Sequence, residues 1–245
     1  MVPGTAPAVV GGSSPPWKQI YDLAVADGWT GLYDPSNPNT RTLRNSGGTD
    51  YVTDLADALG NLTALSQSTA ANQPSLGAGQ LGELDGMLFD GSNDSLSTSA
   101  FSSALSQPNF IASVFRDTLG TSSATSRFIH GGIAGSSNQH NFWENTAQFH
   151  MRAGTSAGPY DSISTNNRVA GLLFNGASSS MIIDNTTHAT SAGTASVTGL
   201  RVGINAAGSG DYWTGYIGAV VIFDGSPSTA VRDRMLELLR ELAGI

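Results

Sequence analysis

The chain has 245 residues, a net charge of −8 and only 12% charged residues, so its surface repels phosphate backbones and nucleic acid is not an expected partner. With 30 Gly, four Glu and a single Lys, it suits short strands joined by tight turns and not a helical enzyme. Cys is absent, which excludes disulfides, thiolate catalysis and Cys-ligated zinc, and no apolar run approaches the roughly 20 residues that cross a bilayer.

Met1 to Ser14 (MVPGTAPAVVGGSS) has neither core-forming nor helix-forming residues and reads as a flexible N-terminal arm, with the rest of the chain, 15–245, as one domain. The start lacks a basic segment followed by an apolar one, so no secretory signal is expected. A short helix follows. Ser14 is placed to cap it, Pro15 and Pro16 to start it, and Gly28 to end it, with Trp17, Ile20, Tyr21 and Ala24 on one face. Trp29 to Pro35 predicts a first strand running into an Asp-Pro turn. Residues 36–50 predict polar turns, and Tyr51 to Leu59 fits either a strand or a helical turn before Gly60-Asn61.

Strands are expected at Asp85–Asp90, Phe110–Arg116, Arg127–Gly131, His140–Arg152 (a hairpin turning near Glu144-Asn145), Arg168–Asn175, Ser179–Asp184, Leu200–Ile204 and Thr214–Phe223. Asn175-Gly176 and Asp184-Asn185 carry hairpin chemistry, because Asn and Gly tolerate positive φ. The stretch from Tyr212 onward organises the rest. Strict alternation puts Trp213, Ile217, Ala219, Val221 and Phe223 on one face and Tyr212, Tyr216, Val220 and Ile222 on the other, so both faces should be covered. Ser226 and Pro227 open a terminal helix whose stripe is Val231, Met235, Leu238, Leu239 and Leu242. Together these elements predict an all-β, two-sheet antiparallel sandwich with a short N-terminal helix and a C-terminal helix.

Several segments carry a resemblance: Leu32-Tyr33-Asp34, Tyr51 to Leu55, Asn72 to Leu76, Met87-Leu88-Phe89-Asp90-Gly91-Ser92-Asn93-Asp94, Phe174-Asn175-Gly176, Tyr216 to Phe223 and Ser226-Pro227-Ser228. Their order resembles the concanavalin A-like, laminin-G-like jelly rolls of bacteriophage virion proteins and of many secreted bacterial proteins, over roughly residues 29 to 245. One departure is Ala219, where the family often carries a glutamate. The resemblance implies a non-enzymatic virion protein, capsid decoration or tail-associated, made in the host cytoplasm. It would dock on other virion subunits, and on its own copies, through its arm and jelly-roll surface. The alternative it implies is a carbohydrate-binding module for a host surface glycan.

For catalysis, a glycoside hydrolase of this fold needs two carboxylates on one strand face in an E-x-D-x-x-E-like spacing. Glu83-Leu84-Asp85 starts that spacing and Leu88 ends it, so the motif fails, and a glutamate pair requires Glu83 to meet Glu144. His130, His140, His150 and His188 are scattered, with His140 and His150 placed to face one another across a hairpin, which suits packing better than zinc. No enzyme activity and no obligatory cofactor are expected. Asp90, Asn93 and Asp94 are candidate calcium ligands, since they cluster hard oxygens, although the same residues can simply close a turn. Candidate glycan-binding residues are Asn141, Trp143 and Glu144, with Asn205, Asp211, Tyr212 and Trp213, because sugars bind aromatic platforms beside amides and carboxylates.

Overall fold

The computed structural model describes residues 14–120, 127–133, 140–154, 156–208 and 210–245; apart from Ser14, the expected arm lies outside them. The described elements begin with α1 (Pro16–Ala26), β1 (Gly31–Tyr33), β2 (Arg41–Ser46), β3 (Thr49–Leu55) and β4 (Leu65–Ser66). Next come β5 (Ser75–Leu81), β6 (Leu84–Asp90), β7 (Leu96–Ser97), β8 (Asn109–Asp117) and β9 (Arg127–Gly131). After these stand β10 (His140–Asn145), β11 (Gln148–Ala153), β12 (Ser156–Ser162), β13 (Arg168–Phe174), β14 (Ser179–Ile183) and β15 (Thr186–Thr190). β16 (Arg201–Val202), β17 (Thr214–Asp224) and α2 (Thr229–Ala243) complete the chain.

The fold is an all-β antiparallel sandwich. One layer runs β15-β14-β13-β8-β17-β6-β5-β3, with β1 beside β6 on the same edge of β17 and β2 outside β3. The other runs β7-β16-β9-β10-β11-β12. The two-residue β4 pairs with both β3 and β7, so hydrogen bonding continues around one edge and the two expected sheets are one folded ladder. At the opposite edge the Tyr160 hydroxyl of β12 donates to Thr190 Oγ1 of β15 at 2.7 Å, which nearly closes the sandwich.

β17 is covered on both faces, as expected, but its alternation is broken. Ile217 pairs with Phe115 and Val220 with Ser113, so β17 uses one more residue than β8 over that interval. This bulge flips the downstream residues. Trp213, Ile217, Val220 and Ile222 therefore share the core between the layers, with Phe89, Phe115, Phe142, Phe149 and Met151. Ala219 and Val221, with the partly buried Tyr216 and Phe223, face a second core beneath the helices. That core joins Phe110, Ala112, Val114, Val169 and Ile182 to Ile20 and Ala24 of α1 and to Met235, Leu236, Leu239 and Leu242 of α2.

Both helices start differently from the sequence expectation. Ser228, not Ser226, caps α2 by accepting the Val231 N–H at 3.3 Å, and Gly244 closes it at φ 74°. Leu236 joins its buried face, whereas Val231 and Leu238 sit at the margin. Pro15 occupies the cap position of α1 with no side-chain bond; Ser14 contributes only its carbonyl, to Gln19 Nε2 at 2.9 Å.

The polar stretch 36–50 and the ambiguous one after it form a hairpin, β2–β3, turning at Gly47-Gly48 with φ 61° and 86°. β5, β12 and β15 also lie outside the expected strands. The loop after β3 is tied down by Asp57, only 7% exposed. Its Oδ1 accepts the Leu32 and Leu59 N–H groups and its Oδ2 those of Asn61 and Leu62, at 2.8 to 3.1 Å. Replacing Asp57 with Ala strands four backbone donors, so a loss of about 3–5 kcal/mol is expected in urea unfolding. A change below about 1 kcal/mol would show that water replaces the carboxylate.

Candidate functional site

The sequence-predicted glycan residues do not form a platform. Trp213 has no exposed surface, packs edge-on against Phe115 at 6.0 Å between centroids, and lies under the Arg127 guanidinium at 5.4 Å. Glu144 is likewise fully buried, its Oε2 held by Arg127 Nε at 2.9 Å, while Arg127 also meets Asp117 Oδ2 at 2.6 Å. Both are corrections, because a ligand reaches neither side chain. Trp143 is 6% exposed and stacks on His150 at 5.2 Å. Asn141 is buried with its Oδ1 accepting the Ala206 N–H at 3.3 Å, and Asn205 Nδ2 donates to Asp211 Oδ2 at 3.2 Å. The strand and the loop that carry these residues are thus neighbours, but Tyr212 is the one aromatic ring of the set with appreciable exposure. His140 and His150 do not face each other: His140 packs on Phe174 in the core at 4.1 Å, whereas His150 pairs with Trp143 on the other face of the hairpin.

At the end of β6, Asp90 Oδ1 accepts the N–H groups of Ser92 and Asn93 at 2.8 and 3.2 Å, and Asp94 Oδ2 accepts that of Asp90 at 3.1 Å. Gly91 sits at φ 79°, and a Cβ there would collide with the Thr214 side chain. Among the described residues no three His, Asp or Glu side chains converge as metal ligands. The arrangement fits a turn closed on itself better than a calcium cage.

These two carboxylates line a polar hollow of about 360 Å³ with Arg44, Tyr51, Gln73, Ser75 and Leu88. The hollow is one end of a longer feature. Strand register places Arg44 opposite Tyr51, Tyr51 opposite Ser75, Ser75 opposite Leu88, Leu88 opposite Tyr216, and Tyr216 opposite Arg116. Directly paired residues share a face, so six adjacent strands present one lateral row. Their neighbours Val52, Phe89, Phe115 and Ile217 point into the inter-layer core, so the row lies on the outer face, beside the part covered by the helices.

Each end of the row is built the same way. The Arg44 guanidinium lies 4.5 Å from the Tyr51 ring centroid, and Arg116 lies 4.7 Å from that of Tyr216. Arg44 Nε donates to Gln73 Oε1 at 2.6 Å and Arg116 Nη2 to Gln80 Oε1 at 3.1 Å, which fixes both cations over their rings. Tyr216 rests on a glycine floor, since a Cβ at Gly77 or Gly86 would come within 2.8 or 3.0 Å of its ring. Arg116 also opens onto a hollow of about 450 Å³ lined by Thr165, Asn166 and Asn167. Chemically, the row offers amides, hydroxyls, guanidinium groups and ring edges, which suits a polyhydroxylated ligand.

No protein-family model matches the chain, and no curated protein matches it by sequence. Solved structures do match in fold. One is a GH54 α-L-arabinofuranosidase soaked with a cyclic sulfate inhibitor, with a TM-score of 0.63 and 11% identity over 90% of this chain. The chain spans only 64% of that protein's length. Domain 4 of AbnA, a GH43 extracellular arabinanase from Geobacillus stearothermophilus, in complex with arabinotriose, gives a TM-score of 0.58 at 11% identity, over 86% of this chain and 98% of that domain. The ligand-binding domain of botulinum neurotoxin serotype D, in complex with N-acetylneuraminic acid, gives 0.59 at 11% identity, over 88% of this chain and 52% of that one. At such identities the likeness is one of fold.

Within the hollow, burial pushes the Asp94 carboxyl up from 3.8 to about 7, the charge of Asp90 pushes it the same way, and the Asp90 N–H only partly offsets them. An Asp with a raised folded pKa stabilises the fold in its protonated form. That contribution is complete below about 3.8 and is lost as the pH rises through about 7. Asp94→Asn removes the slope, so its urea midpoint should gain on the wild type's across this window. A difference that stays constant with pH would overturn the assignment.

Proposed function

We propose that the chain is a non-catalytic glycan-binding domain of the jelly-roll type, and that the glycan lies along the outer-face row between Arg44 and Arg116. The row itself carries this reading: two tyrosine–arginine pairs on one sheet face, joined through Ser75 and the half-buried Leu88 and flanked by amides and carboxylates. The fold likeness to a domain in complex with arabinotriose and to one in complex with N-acetylneuraminic acid supports it as analogy. The two strand-borne glutamates support the non-catalytic part of this reading: Glu83 is exposed at the β5–β6 turn, while Glu144 is held in an ion cluster in the other layer, so these two do not meet as a catalytic pair.

The alternative, a virion subunit docking through an arm, rests on sequence resemblance alone. None of the three structures named above is a virion protein. The glycan reading therefore stands first.

A panel of linear and branched polysaccharides, with arabinan and sialylated glycans included, should retain the wild-type protein in affinity electrophoresis. Tyr51→Ala should weaken that binding about tenfold, the loss of roughly 1–1.5 kcal/mol expected for one aromatic contact. Ser75→Trp, which fills the middle of the row without removing a packed side chain, should abolish it. Trp143→Ala with unchanged binding is also expected. If Ser75→Trp binds as well as wild type, the row is not the site.

A further inference from the structure

The row has a length, and the length names a ligand class. Resting on the glycan reading, we infer that the site takes an internal run of a linear polysaccharide lying across the strands, and not the terminal sugar of a glycan.

Neighbouring strands lie ~4.8 Å apart, so the five steps from Arg44 to Arg116 span about 24 Å of sheet between backbones. The Tyr216 ring reaches back across β6 to β5, against Gly86 and Gly77. One strand spacing is close to the repeat of one sugar ring in an extended chain, so the sheet beneath the row is on the order of five rings long. A site for a terminal sugar concentrates its contacts in one pocket. Here the contacts are duplicated instead: a ring, a stacked guanidinium and a supporting glutamine recur at both ends, Tyr51 with Arg44 and Gln73, and Tyr216 with Arg116 and Gln80.

What lies between the ends agrees. Ser75 is short, Leu88 is half-buried, and Gly77 and Gly86 carry no side chain where the Tyr216 ring lies against the sheet. A chain can thus pass from one pair to the other without meeting a wall made by these strands. Hollows of about 360 and 450 Å³ adjoin the two ends, giving room for the polymer at each. Each pair alone holds a sugar weakly, and the covalently joined rings bind at both because the second contact is intramolecular.

The test uses the full chain and calorimetric titration with linear arabino-, xylo-, gluco- and manno-oligosaccharides, each as a series from the monosaccharide to the octasaccharide. For the backbone that binds, affinity should rise by at least tenfold from the disaccharide to the pentasaccharide and then level off. Arg116→Ser should cost several-fold more affinity for the pentasaccharide than for the disaccharide and so flatten the gain on lengthening, a length dependence that general misfolding would not give. Capping the non-reducing end chemically should have no effect on the pentasaccharide. If affinity is the same for monosaccharide and pentasaccharide, or if the end cap abolishes binding, the site reads a terminal sugar and the inference fails while the glycan reading stands. If no glycan in the series or the wider panel binds, both fail together.

Discussion

The bulge in β17 is the constraint on which the remaining architecture depends. This strand is the only described one that contributes buried side chains in number to both cores while pairing with three partners, β1, β6 and β8. Without an extra residue between Ile217 and Val220, a single register would send Ala219, Val221 and Phe223 into the inter-layer core and Val220 and Ile222 toward the helices. With it, Ile217 at one end and Val220 and Ile222 at the other meet the same core, and the small Ala219 lies where α2 packs. Gly218 makes the irregularity tolerable, since a Cβ there would come within 2.8 Å of Leu81. Upstream of the bulge, Tyr216 remains on the outer face, and its position sets one end of the row.

The second layer solves a different problem, the burial of polar groups. Arg127 links Asp117 and Glu144, and its removal would leave two buried carboxylates uncompensated. His130 and His140 are handled by neutrality. Burial lowers them to about 3 and about 4, with His140 also depressing His130 and the Ala195 carbonyl partly opposing the shift at His140. As the pH falls from 6.5 toward these values, the unfolded chain takes up protons that the folded imidazoles refuse, so their stabilisation is lost in acid. Asp34 and Asp94, raised to about 6 and about 7 mainly by burial, act in the opposite sense over an overlapping window. The two sets offset one another, which leaves the fold less sensitive to mild acid than either set alone.

How far the sequence could be read depends on where apolar patterning exists. β6, β8, β13, β14 and β17 are buried on one or both faces, and their apolar runs place them to within a few residues. β2 (RTLRNS), β5 (SLGAGQL) and β15 (TTHAT) have almost no apolar alternation, because backbone pairing holds them and much of their surface meets solvent. Those are the strands that escape a periodicity argument, and two of them, with β3, carry Arg44, Tyr51 and Ser75. That half of the row was therefore illegible for the same physical reason as its strands. The tryptophans gave the opposite error: a residue type favoured at sugar sites was weighed without its burial, and Trp213 proves to be one of the largest fully buried side chains. The bulge was beyond reach as well, since both registers of β17 are apolar.

The uncovered part of the outer face has a definite boundary. α2 stops at Gly244, and the β5–β6 turn meets its last turn there, with the Glu83 N–H donating to the Leu242 carbonyl at 2.7 Å. Gly82, at φ 71°, lies so close that a Cβ would collide with that carbonyl. This contact uses a helix-terminal acceptor that would otherwise need water, and it places the turn against the helix end, where continuing the helix toward the row would meet it. Tyr216 stands on the border, with part of its surface against the second core and its ring carrying Arg116 on the row. Here the same face changes over one strand spacing from aliphatic side chains under a helix to paired arginines and tyrosines on a floor of glycine and serine. Arg44, Tyr51, Ser75 and Arg116 add little to either core, so this part of the face is free to serve the ligand that the glycan reading assigns to it.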